Sequence, residues 1–193
     1  MAIKKILITA GPTWVPIDGV RVISNTATGE TAKFLIEEAK KKNIKVDLIL
    51  GPLYFDSLLK LIKRKVCANK YDAVIHAAAV SDYQLVKPFK AKLGSDKGAL
   101  TLRLKPTPKI VHYIKKWGPE IYLVMFKLES GVEDEILIKR SRSALIKAKA
   151  DLVVANKIKP SYKAFILGKD KIYCKVDSKR ALAKKLINLI AGL

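Results

Sequence analysis

Asp18, Arg21 and Asn25 lie close together on a segment, residues 14–25, that contains Pro16 and Gly19 and shows no sustained apolar spacing. An arginine offers a planar fork for a carboxylate or phosphate, and an asparagine amide can donate to one oxygen while accepting from an amine. The alternative is local: Asp and Asn side chains also hydrogen-bond their own loop backbone. A second group is Asp82, which follows the small-residue run Ala77-Ala78-Ala79-Val80-Ser81. It can serve a ribose, a base or a metal-bound phosphate, or simply cap the next turn. A third group is Lys90 and Lys92, in the stretch 86–98 with Pro88, Gly94 and Gly98. Lysines on such a flap can close over a triphosphate and offset its charge, although most lysines in a lysine-rich chain serve only a solvated surface.

Other chemistries lack their residues. His76 and His112 are the only histidines, too few for a His-rich metal site, and no metal-ligating set is expected. Cys67 and Cys174 fit neither a disulfide framework nor a zinc site and are expected to be reduced, mostly buried thiols. The first glycine after the first apolar run, Gly11, has no counterpart until Gly19, so the Gly-x-Gly-x-x-Gly dinucleotide fingerprint is absent. So is the Gly-rich loop ending in Lys-Ser/Thr.

The elements that must position these residues follow from apolar periodicity. Residues 3–9, 45–50, 73–79, 121–126 and 151–155 read as strands, and their near-continuous apolar character indicates a parallel sheet covered on both faces. LTLRL at 100–104 alternates and reads as a half-exposed or edge strand. Helices are predicted over 28–42, 54–65, 109–117, 133–148 and 178–190, with Thr26 or Thr28 capping the first and Ser178 the last. Gly168-Lys169-Asp170 separates 163–167 from 171–176 as a hairpin. The fold class is therefore α/β: a single domain over 1–193, a three-layer Rossmann-like fold with a mostly parallel sheet and a small C-terminal hairpin. The 14–25 segment is expected to be a long structureless arm and 86–98 a flexible flap. In such sheets ligands bind beyond the C-terminal strand ends. That places 9–13, 77–83, 126–129 and 155–157 at the site.

The formal charge is +21, from 38 Lys and Arg against 17 Asp and Glu. Nucleic acid, an anionic membrane surface or small acidic substrates would each suit it. The lysines are spread along the chain without aromatic interleaving, which counts against a nucleic-acid-binding protein. No apolar run approaches the roughly 18 residues of a membrane span. A nicotinamide-dependent reductase on the same sheet lacks its fingerprint, and Tyr113 and Lys116 stand three apart rather than four.

Five collinear segments carry a resemblance: ITAGPTWVPIDGVRVISN (8–25) with Gly29, AAAVSDY (77–83), KAK (90–92), LTLRLKPTPKI (100–110) and DLVVANK (151–157). Together they resemble phosphopantothenate–cysteine ligase, and FKLE (126–129) is similar to the eukaryotic form. The resemblance implies a cytoplasmic, homodimeric enzyme of coenzyme A biosynthesis that uses ATP or CTP with Mg²⁺. It activates 4'-phosphopantothenate as an acyl nucleotide and joins it to cysteine. Asn25 matches the asparagine that holds the acyl-phosphate intermediate, and Lys90 the lysine that assists the phosphates, with Lys92 an alternative. Gly11, Asp82 and Phe126 match nucleotide-facing positions, and Arg21, Ala79 and Asn156 substrate-facing ones. Trp14 replaces a usual arginine and Glu30 a usual lysine. The stretch from Gly51 to Tyr71 and the segment after Asn156 are short. The implied protein is a stand-alone, shortened ligase without a flavin-binding decarboxylase half.

Overall fold

The computed structural model of the protein describes residues 3–94, 98–159 and 161–193. In chain order the first elements are β1 (Lys5–Ala10), β2 (Thr13–Pro16), β3 (Val22–Ser24), α1 (Glu30–Lys41), β4 (Lys45–Leu50) and β5 (Leu53–Tyr54). Next come α2 (Phe55–Ala68), β6 (Ala73–His76), β7 (Tyr83–Leu85), β8 (Leu104–Pro106), α3 (Val111–Trp117) and β9 (Tyr122–Leu128). The chain closes with α4 (Asp134–Ala148), β10 (Leu152–Lys157), β11 (Lys163–Leu167), β12 (Ile172–Val176) and α5 (Lys179–Ala191).

Seven strands form the central sheet in the order β12-β11-β10-β9-β6-β1-β4. The five from β10 to β4 run parallel, β11 pairs antiparallel with β10, and β12 pairs antiparallel with β11, so that only β11 runs against the rest. Successive residues of β1 serve opposite faces. Leu7 packs with Phe55, Ile62, Ile114 and Leu137 on the side of α2, α3 and α4. Ile6 and Ile8 pack with Leu35, Leu182 and Ile190 on the side of α1 and α5. Each face of the inner strands meets helices, so the alternation of polar residues that marks a one-sided sheet has no reason to occur. The three-layer α/β architecture inferred from periodicity is the observed one.

Local signals behave as their chemistry requires. The Ser178 hydroxyl accepts from the Ala181 N–H at 3.2 Å and caps α5. At α1 the expected threonine cap is not made: Gly29 occupies the N-cap with φ +76°, and Thr28, one residue before it, accepts from the Glu30 N–H at 3.3 Å. The Gly168 N–H donates to the Lys171 carbonyl at 2.9 Å and closes the predicted tail hairpin.

Four further expectations require correction. The arm 14–25 is not structureless. Trp14, Val15 and Pro16 pair antiparallel with Ser24, Ile23 and Val22, and Thr13 and Trp14 pair parallel with Leu53 and Tyr54. Asp18 turns the hairpin: its Oδ1 accepts from the Val20 and Arg21 N–H groups at 2.9 and 2.8 Å. Val15 buries its side chain against the main body, which anchors strands too short to register as periodic. The alternating run at 100–104 contributes only Leu104 to a strand, because Leu100 and Leu104 face solvent and alternation without a core has nothing to bury. β6 ends at His76, earlier than predicted, although the Ala77 and Ala79 N–H groups still donate to the Thr9 and Gly11 carbonyls. The thiols are not mostly buried: Cys67 is exposed on α2 and Cys174 is half-buried in β12.

The stretch 86–98 belongs to the connection, 86–103, between β7 and β8, which pair antiparallel from Tyr83↔Pro106 to Leu85↔Leu104. Residues 95–97 of the predicted flap lie outside the described residues.

Candidate functional site

A cleft of about 570 Å³ opens beyond the C-terminal ends of β1, β6, β9 and β10, against the N-termini of α1 and α5. Gly11, Asn25, Ala79, Asp82, Phe126 and Asn156, drawn from five separate predicted segments, all line it.

Two of its lining residues are glycines with left-handed backbone. Gly11 has φ +79°, and a Cβ there would lie 3.0 Å from the Gly51 backbone N and O. A Cβ on Gly29 would stand 3.3 Å from the Gly11 nitrogen. Both positions combine a left-handed backbone with a close chain approach, so a side chain is excluded twice over. These glycines let the chain segments around residues 11, 29 and 51 pack closely at the inner end of the cleft.

Asn25 projects across the mouth. Its Nδ2 donates to the Ala79 carbonyl at 3.0 Å, and that carbonyl also accepts from the Thr13 N–H at 3.2 Å. The side chain thus joins the arm to the small-residue loop 77–79, a contact spanning 54 residues, rather than bonding its own loop. Asp18 is the residue that orders the loop. The N–H groups of Val20, Leu93 and Arg21 hold its carboxyl below the usual carboxylate range.

Behind the 79–82 loop lies a buried hydroxyl chain. Thr13 Oγ1 donates to Ser81 Oγ at 3.1 Å and accepts from the Ser81 N–H at 2.8 Å. Thr107 Oγ1 donates to the Ser81 carbonyl at 2.5 Å. Buried polar groups paired in this way fix a loop rigidly, and the loop carries Asp82 at the rim. The Asp82 carboxylate contacts Lys109 Nζ, which sequence reading had not singled out. Beneath the site, Thr9 Oγ1 and His76 Nδ1 are 2.7 Å apart. Burial pushes the His76 imidazole down to about 4, so it is neutral at physiological pH.

On the opposite wall Phe126 is half-buried, and Lys127 pairs with Glu129 at 3.2 Å. Burial pushes the Glu129 carboxyl up, but Lys127 and Arg140 outweigh it and hold the group low. The Asn156 carbonyl accepts from the Glu129 N–H at 3.0 Å, while its side-chain Oδ1 is buried without a partner inside the protein. A buried unpaired acceptor on a cleft wall suits a ligand N–H. Tyr162 and Lys179 also line the cleft and were missed from sequence, and Glu30, noted there only as a departure from the family pattern, joins them. Glu30 and Lys179 are 149 positions apart yet 2.5 Å from each other, and local spacing carries no signal of such a pair.

Three predicted residues stand elsewhere. Arg21 directs its guanidinium to Asp18 Oδ2 at 3.2 Å and to the Leu93 carbonyl at 2.9 Å, tying the arm to the β7–β8 connection. Lys90 and Lys92 are exposed on that connection, and Lys90 lines a separate concavity between Leu85–Lys90 and Thr101–Arg103. Among the described residues no cluster of three or more His, Cys, Asp or Glu is placed to hold a metal.

Comparison with known proteins gives the same picture. The coenzyme A biosynthesis bifunctional protein CoaBC of Thermococcus kodakarensis is 36% identical over 81% of this chain and 42% of its own length. That of Methanocaldococcus jannaschii is 28% identical over 98% of this chain and 51% of its own length. The chain thus spans about half the length of these curated relatives. Among solved structures, the DNA/pantothenate metabolism flavoprotein from Streptococcus pneumoniae superposes with a TM-score of 0.86 at 30% identity, covering 99% of both chains. A Cab2 mutant in complex with phosphopantothenate-cysteine shares the fold, with a TM-score of 0.81 at 18% identity over 98% of this chain and 85% of its own. Residues 1–193 match the DNA/pantothenate metabolism flavoprotein C-terminal domain, and this chain belongs to that family.

Proposed function

We propose that the chain is a phosphopantothenate–cysteine ligase of coenzyme A biosynthesis. The observation that carries this reading is the convergence of Asn25, Ala79, Gly11, Asp82, Phe126 and Asn156 on one cleft. It is supported by family membership and by the phosphopantothenate-cysteine held by a structural neighbour.

In the first step a carboxylate oxygen of 4'-phosphopantothenate attacks the α-phosphorus of a nucleoside triphosphate. The bond to the β-phosphate oxygen breaks and pyrophosphate leaves. In the second, the cysteine amine attacks the acyl carbon, the nucleoside monophosphate leaves with the electron pair of the broken C–O bond, and the amine gives up a proton. Both steps need charge held in place more than they need a nucleophilic side chain. Asn25 is suited to hold the acyl phosphate with a neutral amide, since a carboxylate there would repel the triphosphate, the phosphopantothenate and the acyl nucleotide. Phe126 and Asp82 bound the nucleotide, and Asn156 offers its unpaired Oδ1 to an N–H of a substrate. Ala79 leaves room for the pantothenate chain beside its carbonyl.

Lys90, or Lys92 beside it, approaches the phosphates from the β7–β8 connection when nucleotide binds. Mg²⁺ enters on the triphosphate, as it commonly does, keeping waters and few protein ligands. The two lining carboxylates, Glu30 and Asp82, are each paired with a lysine, so the ion would be held chiefly by the triphosphate oxygens of the substrate. The FKLE segment inclines the choice of nucleotide to ATP over CTP. The working form is a cytoplasmic homodimer. Val20, Val22, Tyr83, Val86 and Phe89 expose apolar surface on the arm and the β7–β8 hairpin, away from the cleft, and Arg21 lies on the same side.

The test is to mix the protein with 4'-phosphopantothenate, Mg²⁺ and ATP or CTP, with and without cysteine. Cysteine-dependent monophosphate formation is the expected result, and its absence with both nucleotides would end this reading. A tenfold preference for CTP in kcat/KM would overturn the choice of ATP.

A further inference from the structure

The cleft has a charge arrangement that anionic substrates should not favour. Of the lining side chains, Glu30 and Asp82 are acidic and Lys127 and Lys179 basic. Lys127 is drawn to Glu129 outside the cleft, and Asp82 takes Lys109 at the rim. The balance at the inner end therefore rests on one pair. Lys179 Nζ donates to Glu30 Oε2 at 2.5 Å, linking the first residue of α5 to the first residue of α1. Lys179 is the main cause holding the Glu30 carboxyl below its ordinary range.

We infer that Lys179 is a phosphate-binding residue of this cleft, oriented by Glu30. An ammonium has three donors, and the bond to Glu30 uses one of them. Glu30 spends no donor of its own and fixes the ammonium at the cleft wall, where a long lysine would otherwise sample many rotamers. With the cation in place, a phosphate oxygen meets a charge-assisted donor instead of a bare carboxylate. Ser178 caps the same helix turn and sets the height at which Lys179 emerges. The inference rests on the ligase reading and assigns the phosphate group either of 4'-phosphopantothenate or of the nucleotide to this residue.

The neighbouring residue supplies a control. Arg180 joins the same two helices through Glu37 at 3.1 Å, and neither residue lines the cleft. Lys179→Gln should raise KM on the order of 10-fold for the substrate whose phosphate it holds, with kcat within about threefold. Varying 4'-phosphopantothenate at saturating nucleotide, and then the reverse, identifies which substrate that is. Arg180→Gln should leave both KM values unchanged. An equal effect of the two substitutions would mean a helix-docking role and would overturn the inference. The double variant Glu30→Gln/Lys179→Gln separates contact from neutralisation. It should keep the raised KM; recovery of wild-type KM would show that Lys179 only masks Glu30. If the wild type proves to have no ligase activity, the ligase reading fails on its own. Calorimetry with inorganic pyrophosphate then tests Lys179 directly: weaker binding by the variant supports the assignment, and equal binding defeats it.

Discussion

Changing Asn25 to Asp alters one atom and adds one charge, at a place where the structure allows both effects to be sized. The Asn25 amide donates to the Ala79 carbonyl at 3.0 Å. A carboxylate cannot donate, so two acceptors would face each other across that distance. The side chain is exposed, so the lost neutral hydrogen bond costs stability only about 0.5–1.5 kcal/mol. The charge acts on the reactants instead. Two like unit charges about 4 Å apart at an effective dielectric near 20 repel by about 4 kcal/mol, comparable to the 10²–10³-fold loss typical of a removed oxyanion donor. The expected variant is folded, melts within a few degrees of wild type, and forms monophosphate at least ~100-fold more slowly. Quenched-flow measurement of pyrophosphate and monophosphate should show the larger loss in the cysteine-dependent step. Near-normal turnover in a protein of unchanged melting temperature would refute the role given to this amide and leave it as an arm-to-loop tie.

Lys90→Ala should slow pyrophosphate release on the order of 10²-fold, and an unchanged rate would move the role to Lys92 or remove it from the connection altogether. In light scattering at micromolar protein the chain should have the mass of a dimer, which a monomer mass would contradict; Val22→Lys, adding charge to the exposed apolar face, should shift it toward monomer. Asp134, at the start of α4, is held down to about 2 from 3.8 by Lys157 and Lys163. A carboxyl with a depressed native value stabilises the fold above its unfolded value and loses that contribution as pH falls. Wild type should therefore lose stability between about pH 4 and pH 2, and Asp134→Asn should be less stable at neutral pH with a flatter acid limb; an unchanged limb in urea titrations at several pH values would disprove this.

Much of this fold is written in periodicity. Ile6–Ile8, Val74–Ile75 and Leu152–Ala155 are apolar without interruption because helices cover both faces of their sheet, and that covering leaves a mark in consecutive residues. Most of the cleft was legible for a related reason. A parallel sheet brings its C-terminal strand ends to one edge, so Gly11, Ala79, Asp82, Phe126 and Asn156 had to share that edge once their strands were recognised. The arm was not legible: β2 and β3 are four and three residues long, and they persist through pairing with each other and with β5 rather than through any pattern of their own. Nor could sequence show where Arg21 turns, since its partners are Asp18 nearby and the Leu93 carbonyl 72 positions away. The pairing of Glu30 with Lys179 was decided by tertiary structure alone. Apolar packing of α5 against α1 brings two helix starts together, and the charges that meet there follow from that docking rather than from anything within reach along the chain.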